Sequence, residues 1–204
     1  MNQNSSLPLT QIVVFDGFDD LDAIAPLEIL GGAGFPAHLV RPVPHPSRIH
    51  SAHGLVLDVT ETLREAPGLV VVPGGGWVDG RAGVRDQCDG PLPRALAALH
   101  GAGTVVASVC TGAMLLARAG LLSGRPAVTN RLALDDLAAA GADVRREARV
   151  VDDGSVVTAG GPTAGIDMAI RLVARFAGEE AGHAAAARLE HEPVGPVLVA
   201  VGTA

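Results

Sequence analysis

The stretch TVVASVCTGAMLLARAG, residues 104–120, changes character at a single cysteine. Before Cys110 the residues are apolar and largely β-branched, which is typical of a buried strand. The residues that follow are rich in good helix formers. The sequence therefore predicts a strand that turns sharply into a helix, with Cys110 at the turn.

Strand-like and helix-like segments alternate along the chain on both sides of this stretch. Each of three buried apolar runs is followed by a helical pattern, and further strands, a hairpin around Asp153-Gly154 and an amphipathic helix come later. The predicted strands are 11–15, 36–43, 55–60, 69–73, 104–109 and 126–130; the hairpin is 148–161; the helices lie around 22–30, 89–103, 112–122, 132–142 and 163–178. This alternation predicts an α/β fold, a three-layer sandwich with a mainly parallel central sheet.

Length and composition limit the organisation and the class of protein. The 204 residues fit one domain, 1–204, in which 1–10 are expected to be flexible and 194–204 to form a tail. The net charge is −7 and the chain has no basic stripe, so nucleic acid is not an expected partner. We expect no membrane association either, because no uncharged apolar run approaches about 18 residues. All fifteen cationic residues are arginine and tyrosine is absent, which excludes a Schiff-base lysine and a tyrosine acid.

The two cysteines and the amino terminus point to a cytoplasmic protein. Two cysteines in a chain of this length do not make a disulfide framework. The segment MNQNSSLPLTQ at residues 1–11 is polar and does not resemble a signal peptide. We therefore expect cytoplasmic localisation with reduced thiols.

Cys110 has two interpretations. Ser108 and Gly112 keep the turn small, as a nucleophile elbow requires, and a helix amino terminus would lower the pKa of the thiol and favour the thiolate. The alternative is a core cysteine, which is a common fate of this residue. Spacing alone does not decide between the two.

Two other groups follow predicted strands, and in a parallel sheet they would meet Cys110 at one edge. Gly74, Gly75 and Gly76 come after the strand 69–73, where their N–H groups could form an oxyanion hole, a phosphate cradle or a plain tight turn. Asp22 follows the first strand. From the sequence it is better explained as a helix N-cap than as a functional acid, and nothing local distinguishes it from Asp20.

The remaining candidates have weaker patterns. His45, His50 and His53 group in HPSRIHSAH, but they lack metal-site spacing, so we expect a surface bend and no metal. Cys88 lies in polar RDQCDG and is expected to be a surface thiol. Trp77 either lines a pocket or covers an edge of the core.

Taken together, four segments resemble the PfpI/ThiJ superfamily, whose fold is similar to class I glutamine amidotransferases and is flavodoxin-like. These segments, within residues 11–193, are FDGFDDLDAIAPLEIL, VVVPGGG, SVCTGAMLLARAGLLSGRPAVTN and GGPTAGIDMAI. Within the superfamily the resemblance is strongest to the isonitrile hydratases and to the similar amidase-like domains of some transcription regulators. No helix-turn-helix follows here, which disfavours the regulator role.

The resemblance implies a site and a reaction. It makes Cys110 the nucleophile, Asp22 the partner acid through an L-D-x-x-G-P-like motif, and Thr111 a contributor to the site. Backbone N–H groups near Gly75 and Gly76, with that of Thr111, would form the anion pocket. It further implies a small-molecule substrate, no cofactor and a homodimer.

Two departures from the superfamily pattern bear on activity. Ala25 replaces the usual glycine, and Asn130 and Arg131 replace the His and Trp of a common TTHW segment, where they would alter the pocket. A Cys–His hydrolase needs an imidazole, so protease, amidase and glyoxalase activities are disfavoured. The expectation is an isonitrile hydratase-like lyase. The alternative is a redox-responsive protein with an oxidisable Cys110 and little catalysis.

Overall fold

The computed structural model describes residues 6–45, 47–64, 66–78 and 80–200. Within these ranges the chain forms eleven strands and seven α-helices. The strands are β1 (Thr10–Val13), β2 (Ala37–Val40), β3 (Ile49–His50), β4 (Val56–Leu57), β5 (Leu69–Val72), β6 (Val105–Val109), β7 (Pro126–Ala127), β8 (Asp143–Val144), β9 (Val150–Asp153), β10 (Val156–Ala159) and β11 (Val197–Val199). The helices are α1 (Asp20–Gly32), α2 (Val84–Gln87), α3 (Leu92–Gly101), α4 (Ala113–Arg118), α5 (Leu134–Ala139), α6 (Ala164–Ala177) and α7 (Glu179–Arg188).

Seven strands form the central sheet in the order β11-β9-β10-β6-β5-β1-β2. All neighbours are parallel except β9 and β10, which form an antiparallel hairpin. The four residues of β1 and of β5 are fully buried, as expected for strands covered on both faces. The predicted α/β fold with a mainly parallel sheet is thus confirmed.

Helices cover both faces of the sheet. The connection from β1 through α1 to β2 and that from β5 through α3 to β6 run in opposite directions along the sheet, so right-handed crossovers put α1 and α3 on opposite faces. Helix α6 packs against α1 and α7, whereas α4 packs against α3 and α5. Successive strands are added towards opposite edges of the sheet on the two sides of the β1–β5 pair, so this pair is the topological switch point. In parallel sheets, ligands bind at such a point, beyond the carboxyl ends of the strands.

Several predicted elements differ from the observed ones. The strand expected at 55–60 is only β4, which pairs with β3 in a small hairpin outside the main sheet. The expected tail at 194–204 contains β11, which adds an edge strand to the sheet beside β9. Three residues next to Pro196 are too short for a periodic signal. The strand expected at 126–130 is reduced to β7, paired with β8.

The expected boundaries of the single domain also shift. β1 starts at Thr10, which is fully buried, and Leu7 packs against the core, so order begins before residue 10. Residues 1–5 and 201–204 lie outside the described part of the chain. No helix in the described ranges combines the length and apolarity that crossing a membrane demands.

Candidate functional site

The turn after β6 places Cys110 at the carboxyl edge of the sheet. Cys110 has φ +56°, a left-handed conformation that is uncommon for a residue with a side chain. A short 3-10 turn, Cys110–Gly112, then leads into α4. A Cβ at Gly112 would lie 2.4 Å from the Val72 carbonyl oxygen, so only glycine lets the turn pass the end of β5. The predicted strand–turn–helix elbow is therefore present.

Asp22 lies within the first turn of α1 and is completely buried. Its Oδ2 accepts a hydrogen bond of 2.9 Å from the Gly74 N–H. Its Oδ1 is buried without a partner in the described part of the chain. The N-cap position belongs to Asp19, so the interpretation of Asp22 as a helix cap was wrong. Asp20, which the sequence did not separate from Asp22, accepts instead from the Ser51 hydroxyl at 2.7 Å.

Asp22 and Cys110 are both buried, and they lie close enough for each to affect the pKa of the other. Burial, helped by the charge of Asp19, raises the pKa of Asp22 to about 8. Burial and the Asp22 charge raise the pKa of the Cys110 thiol to about 12. At neutral pH the pair is thus a carboxylic acid beside a thiol.

This charge state corrects the prediction that a helix amino terminus would lower the pKa of the thiol. Cys110 is 6% exposed, and the loss of hydration outweighs the donors around the sulfur. The helix dipole is worth only fractions of a kcal/mol to about 2 kcal/mol. The expectation that the two acids titrate jointly agrees with the effect of the Asp22 charge on the pKa of the Cys110 thiol.

Two donors act on the sulfur of Cys110. Asn130 Nδ2 donates to Sγ at 3.2 Å, and the backbone N–H of Thr111 also points to the thiol; both contacts lower its pKa against the larger effect of burial. Thr129 Oγ1 donates to the Cys110 carbonyl oxygen at 2.7 Å and so stabilises the left-handed backbone conformation of Cys110. Asn130, predicted as a pocket residue, therefore contacts the Cys110 thiol directly.

The predicted anion pocket is engaged differently. The Gly75 N–H donates to Thr111 Oγ1 at 3.0 Å, and that hydroxyl donates back to the Gly75 carbonyl at 2.8 Å. The Gly74 N–H is occupied by Asp22. The Thr111 side chain thus links the elbow to Gly75 by two hydrogen bonds, and its backbone N–H interacts with the Cys110 thiol. The sequence analysis predicted that the Gly75 N–H would bind an anion. In the structure this N–H is already used by Thr111, so that prediction was wrong.

Three other predicted pocket residues have their contacts elsewhere. Gly76 packs against the backbone of residues 81–82, because a Cβ there would lie 2.2 Å from the Arg81 carbonyl oxygen. Trp77 Nε1 donates to Asp136 at 2.6 Å, and its ring lines a separate cavity of 390 Å³. Arg131 lines a different cavity, together with Thr129 and Gly161. For Trp77, covering a core edge is the better interpretation.

The remaining sequence candidates lie away from this site. Cys88 is half-buried beside Trp77, and burial raises the pKa of its thiol. His53 Nδ1 contacts Asp20 at 3.0 Å and His50 Nδ1 lies 3.7 Å from an Asp16 oxygen, so these histidines pair with surface carboxylates. Over the ranges that the structure describes, no three His, Cys, Asp or Glu side chains are grouped as a metal site requires.

Two functional residues escaped the sequence analysis. Gly74 had been included only as part of a glycine cluster, but a Cβ there would come within 2.7 Å of Asp22 Oδ2 and 2.8 Å of the Thr111 nitrogen. Thr129 was read as part of a strand. Both act through contacts between segments that are far apart in the chain, and the local pattern carries no signal for such contacts.

Comparison with known proteins agrees with this geometry. The family model of the DJ-1/PfpI family matches residues 10–175. The isonitrile hydratase of Pseudomonas putida is 34% identical over 189 residues, which cover 90% of this chain and 78% of that protein. The Parkinson disease protein 7 homolog of Danio rerio is 23% identical over 175 residues, covering 83% and 89%.

Solved structures show the same architecture. A ThiJ/PfpI family protein from Pseudomonas syringae superposes with a TM-score of 0.79 at 26% identity, covering 96% of this chain and 82% of that one. DJ-1beta of Drosophila melanogaster gives a TM-score of 0.81 at 18% identity, covering 92% and 100%, and so shares the fold. The sequence match over most of the chain, together with this fold and the cysteine elbow, shows that the chain belongs to the DJ-1/PfpI family.

Proposed function

We propose that this protein hydrates isonitriles to N-substituted formamides, with Cys110 as nucleophile and Asp22 as proton donor. The observation that carries the proposal is the buried pair of a thiol and a carboxylic acid, whose raised pKa values keep both groups protonated at neutral pH. The similarity to the isonitrile hydratase of Pseudomonas putida supports the choice of substrate.

The first step adds the thiol across the terminal carbon of the isonitrile. That carbon must gain both a proton and a bond to sulfur, which yields a thioimidate, R–N=CH–S–Cys. The carboxyl of Asp22 gives its proton to the carbon while the thiol proton passes to the carboxylate, so the acid is regenerated. A thiol and a neutral acid suit this addition better than a thiolate and a base.

The second step consumes one water molecule. Water adds to the thioimidate carbon and the nitrogen is protonated, giving R–NH–CH(OH)–S–Cys. The C–S bond then breaks, the hydroxyl carbon becomes the formyl group, and the hydroxyl proton returns to sulfur through Asp22. The net reaction is isonitrile plus water to formamide, and it calls for no cofactor.

Neighbouring groups prepare the sulfur for these steps. Negative charge develops on Sγ as the thiol proton leaves, and the Asn130 amide and the Thr111 N–H are already directed at it. The donor to the sulfur is an amide where a Cys–His hydrolase needs an imidazole, so the site lacks the base that amide hydrolysis would require there.

The test is turnover of benzyl isonitrile, followed by formamide appearance. Cys110→Ser and Cys110→Ala should reduce activity to background, whereas Cys88→Ser, the matched control, should retain it. Methylglyoxal and a peptide should not be consumed. Equal activity in all three cysteine variants, or formamide production that does not depend on Cys110, would refute the proposal.

A redox role for Cys110 is the second candidate. Peroxide oxidises a thiol to a sulfenic acid with loss of water, and a second peroxide gives the sulfinic acid. The Asp22 carboxyl and the Asn130 amide could donate hydrogen bonds to the new oxygens. The raised pKa of the thiol argues against rapid oxidation. Selective peroxide oxidation of Cys110, seen by mass spectrometry in a protein without isonitrile turnover, would favour this role.

A further inference from the structure

A cavity of about 300 Å³ lies beside the candidate site, and we call it the Arg131 cavity. Its walls come from the segment after β7, the turn before β9, the two glycines before α6 and the 194–196 segment before β11. The residues that the argument uses are Thr129, Arg131, Arg146, Glu147, Arg149 and Gly161.

The cavity is one layer of residues away from the nucleophile. Thr129, in its wall, donates to the carbonyl of Cys110 at 2.7 Å. Gly161, also in its wall, would place a Cβ 3.9 Å from Asn130 Nδ2, the atom that donates to Cys110 Sγ. Asn130 Nδ2 is therefore near both the Gly161 wall of the cavity and the sulfur of Cys110.

The charges of the wall favour an anion. Arg146 is paired with Asp135, and Arg149 with the buried Asp167. Arg131 has no hydrogen-bond or ion-pair partner among the residues that the structure describes. A guanidinium that lines a cavity without a partner can offer both of its parallel N–H groups to a carboxylate.

Two further features tune this charge. The fourteen-residue helix α6 begins at the cavity, so the positive end of its dipole adds to the field there. The exposed carboxylate of Glu147 lies in the wall and opposes an anion. The wall thus has three arginines against one glutamate, and Arg131 is the one left free.

We propose that the substrate carries a carboxylate that Arg131 holds in this cavity, so that the preferred substrates are isonitriles with a short acidic side chain. This inference rests on the proposed function for the isonitrile group, but the anion subsite stands on the cavity and its charges. Carboxylate binding at Arg131 and isonitrile chemistry at Cys110 can therefore be tested separately.

The kinetic test compares 3-isocyanopropanoate with its neutral isostere 3-methylbutyl isonitrile. The wild-type protein should prefer the acid, and Arg131→Gln should lower the ratio of the two kcat/KM values by about tenfold. Arg94→Gln, on exposed α3 surface away from the cavity, is the matched control and should leave the ratio unchanged. A wild-type ratio at or below one, or a ratio that Arg131→Gln does not change, would overturn the carboxylate subsite.

The binding test does not need turnover. N-formyl-β-alanine, the product of the acidic probe, is titrated into the protein by calorimetry, with N-(3-methylbutyl)formamide as the neutral control ligand. Arg131→Gln should weaken its binding about tenfold, and Glu147→Gln should tighten it by about two- to threefold. If neither isonitrile is consumed but this pattern holds, the proposed function fails and the anion subsite stands. If N-formyl-β-alanine does not bind, or if its Kd is the same in Arg131→Gln as in the wild-type protein, the subsite is rejected even if isonitriles are hydrated.

Discussion

Asn130 faces Cys110 with its amide nitrogen and not with its amide oxygen. Nδ2 lies 3.2 Å from Sγ, while Oδ1 accepts from the Leu132 N–H at 3.0 Å and caps the short helical turn that starts at Arg131. Because the cap uses the oxygen, the sulfur always meets a donor. The Asn130 side chain therefore both caps the helical turn and donates a hydrogen bond to the Cys110 sulfur.

Separating these two roles gives the first prediction. Asn130→Ser keeps an N-cap oxygen but is too short to reach the sulfur, so isonitrile kcat/KM should fall at least tenfold while stability is nearly unchanged. Asn130→Ala removes both and should also lose about 1 kcal/mol of unfolding free energy. Kinetics and urea denaturation measure the two effects. Full activity in Asn130→Ser would show that the contact to sulfur is dispensable.

The buried acid makes stability depend on pH. The pKa of Asp22 is about 8 in the fold and near 3.8 when unfolded, so the folded state binds the extra proton between these values and stability is lost as pH rises through this window. Asp22→Asn removes this loss and should stabilise the protein by about 2 kcal/mol or more at pH 8, with little gain at pH 4. Thermal unfolding at both pH values tests this; an equal effect at each would contradict it.

The same substitution should expose the coupling between the two acids. The Asp22 charge helps to raise the pKa of Cys110, so Asp22→Asn should lower that pKa and speed alkylation of Cys110 at pH 9 by at least threefold. Turnover of benzyl isonitrile should fall at the same time, since the proton donor is lost. Alkylation of Cys88, read from the same mass spectra, serves as the internal control. Slower alkylation of Cys110 would argue against the coupling.

Activity should follow the protonated form of Asp22. If its carboxyl donates the proton to the isonitrile carbon, kcat/KM should be flat below neutral pH and should fall about tenfold per pH unit above about 8. The rate profile between pH 5 and 10 is the measurement. An activity that rises through pH 8 would instead indicate a thiolate mechanism.

Backbone packing at the elbow predicts a sharp contrast between two glycines. A Cβ at Gly112 would lie 2.4 Å from the Val72 carbonyl oxygen, so Gly112→Ala should cost about 2 kcal/mol or more and disturb Cys110. Gly31, in α1, has open space for a Cβ, and Gly31→Ala should be neutral or stabilising by up to about 1 kcal/mol. Denaturant titration of both variants tests the contrast; similar losses would contradict it.

The sequence was informative where periodicity and topology act together. Apolar runs predict β1, β5 and β6, and the rule that parallel strands end at one edge brings Asp22, Gly74 and Cys110 together, as found. β11 was missed because three residues carry no period, and its place in the sheet depends on β9, more than forty residues earlier. Local sequence patterns therefore predict the central strands of the sheet but not its edge strand β11.

At the site, the residue types were predictable but the protonation states were not. The elbow at Cys110 implied a thiolate, because a helix end is visible in sequence whereas burial is not. Once the fold removes water from Cys110 and Asp22, desolvation dominates and reverses the direction of the pKa shift. The role of Arg131 likewise depends on a cavity that only the packed chain creates.

The paired hydrogen bonds between Thr111 and Gly75 bear on the choice of inhibitors. Aldehydes and similar electrophiles form thiol adducts that carry an alkoxide, and such adducts need free N–H groups for support. Here the Gly75 amide is committed to Thr111 and the Gly74 amide to Asp22. Uncharged adducts are therefore the better inhibitor design against this site, because the Gly74 and Gly75 amides are not free to stabilise an alkoxide.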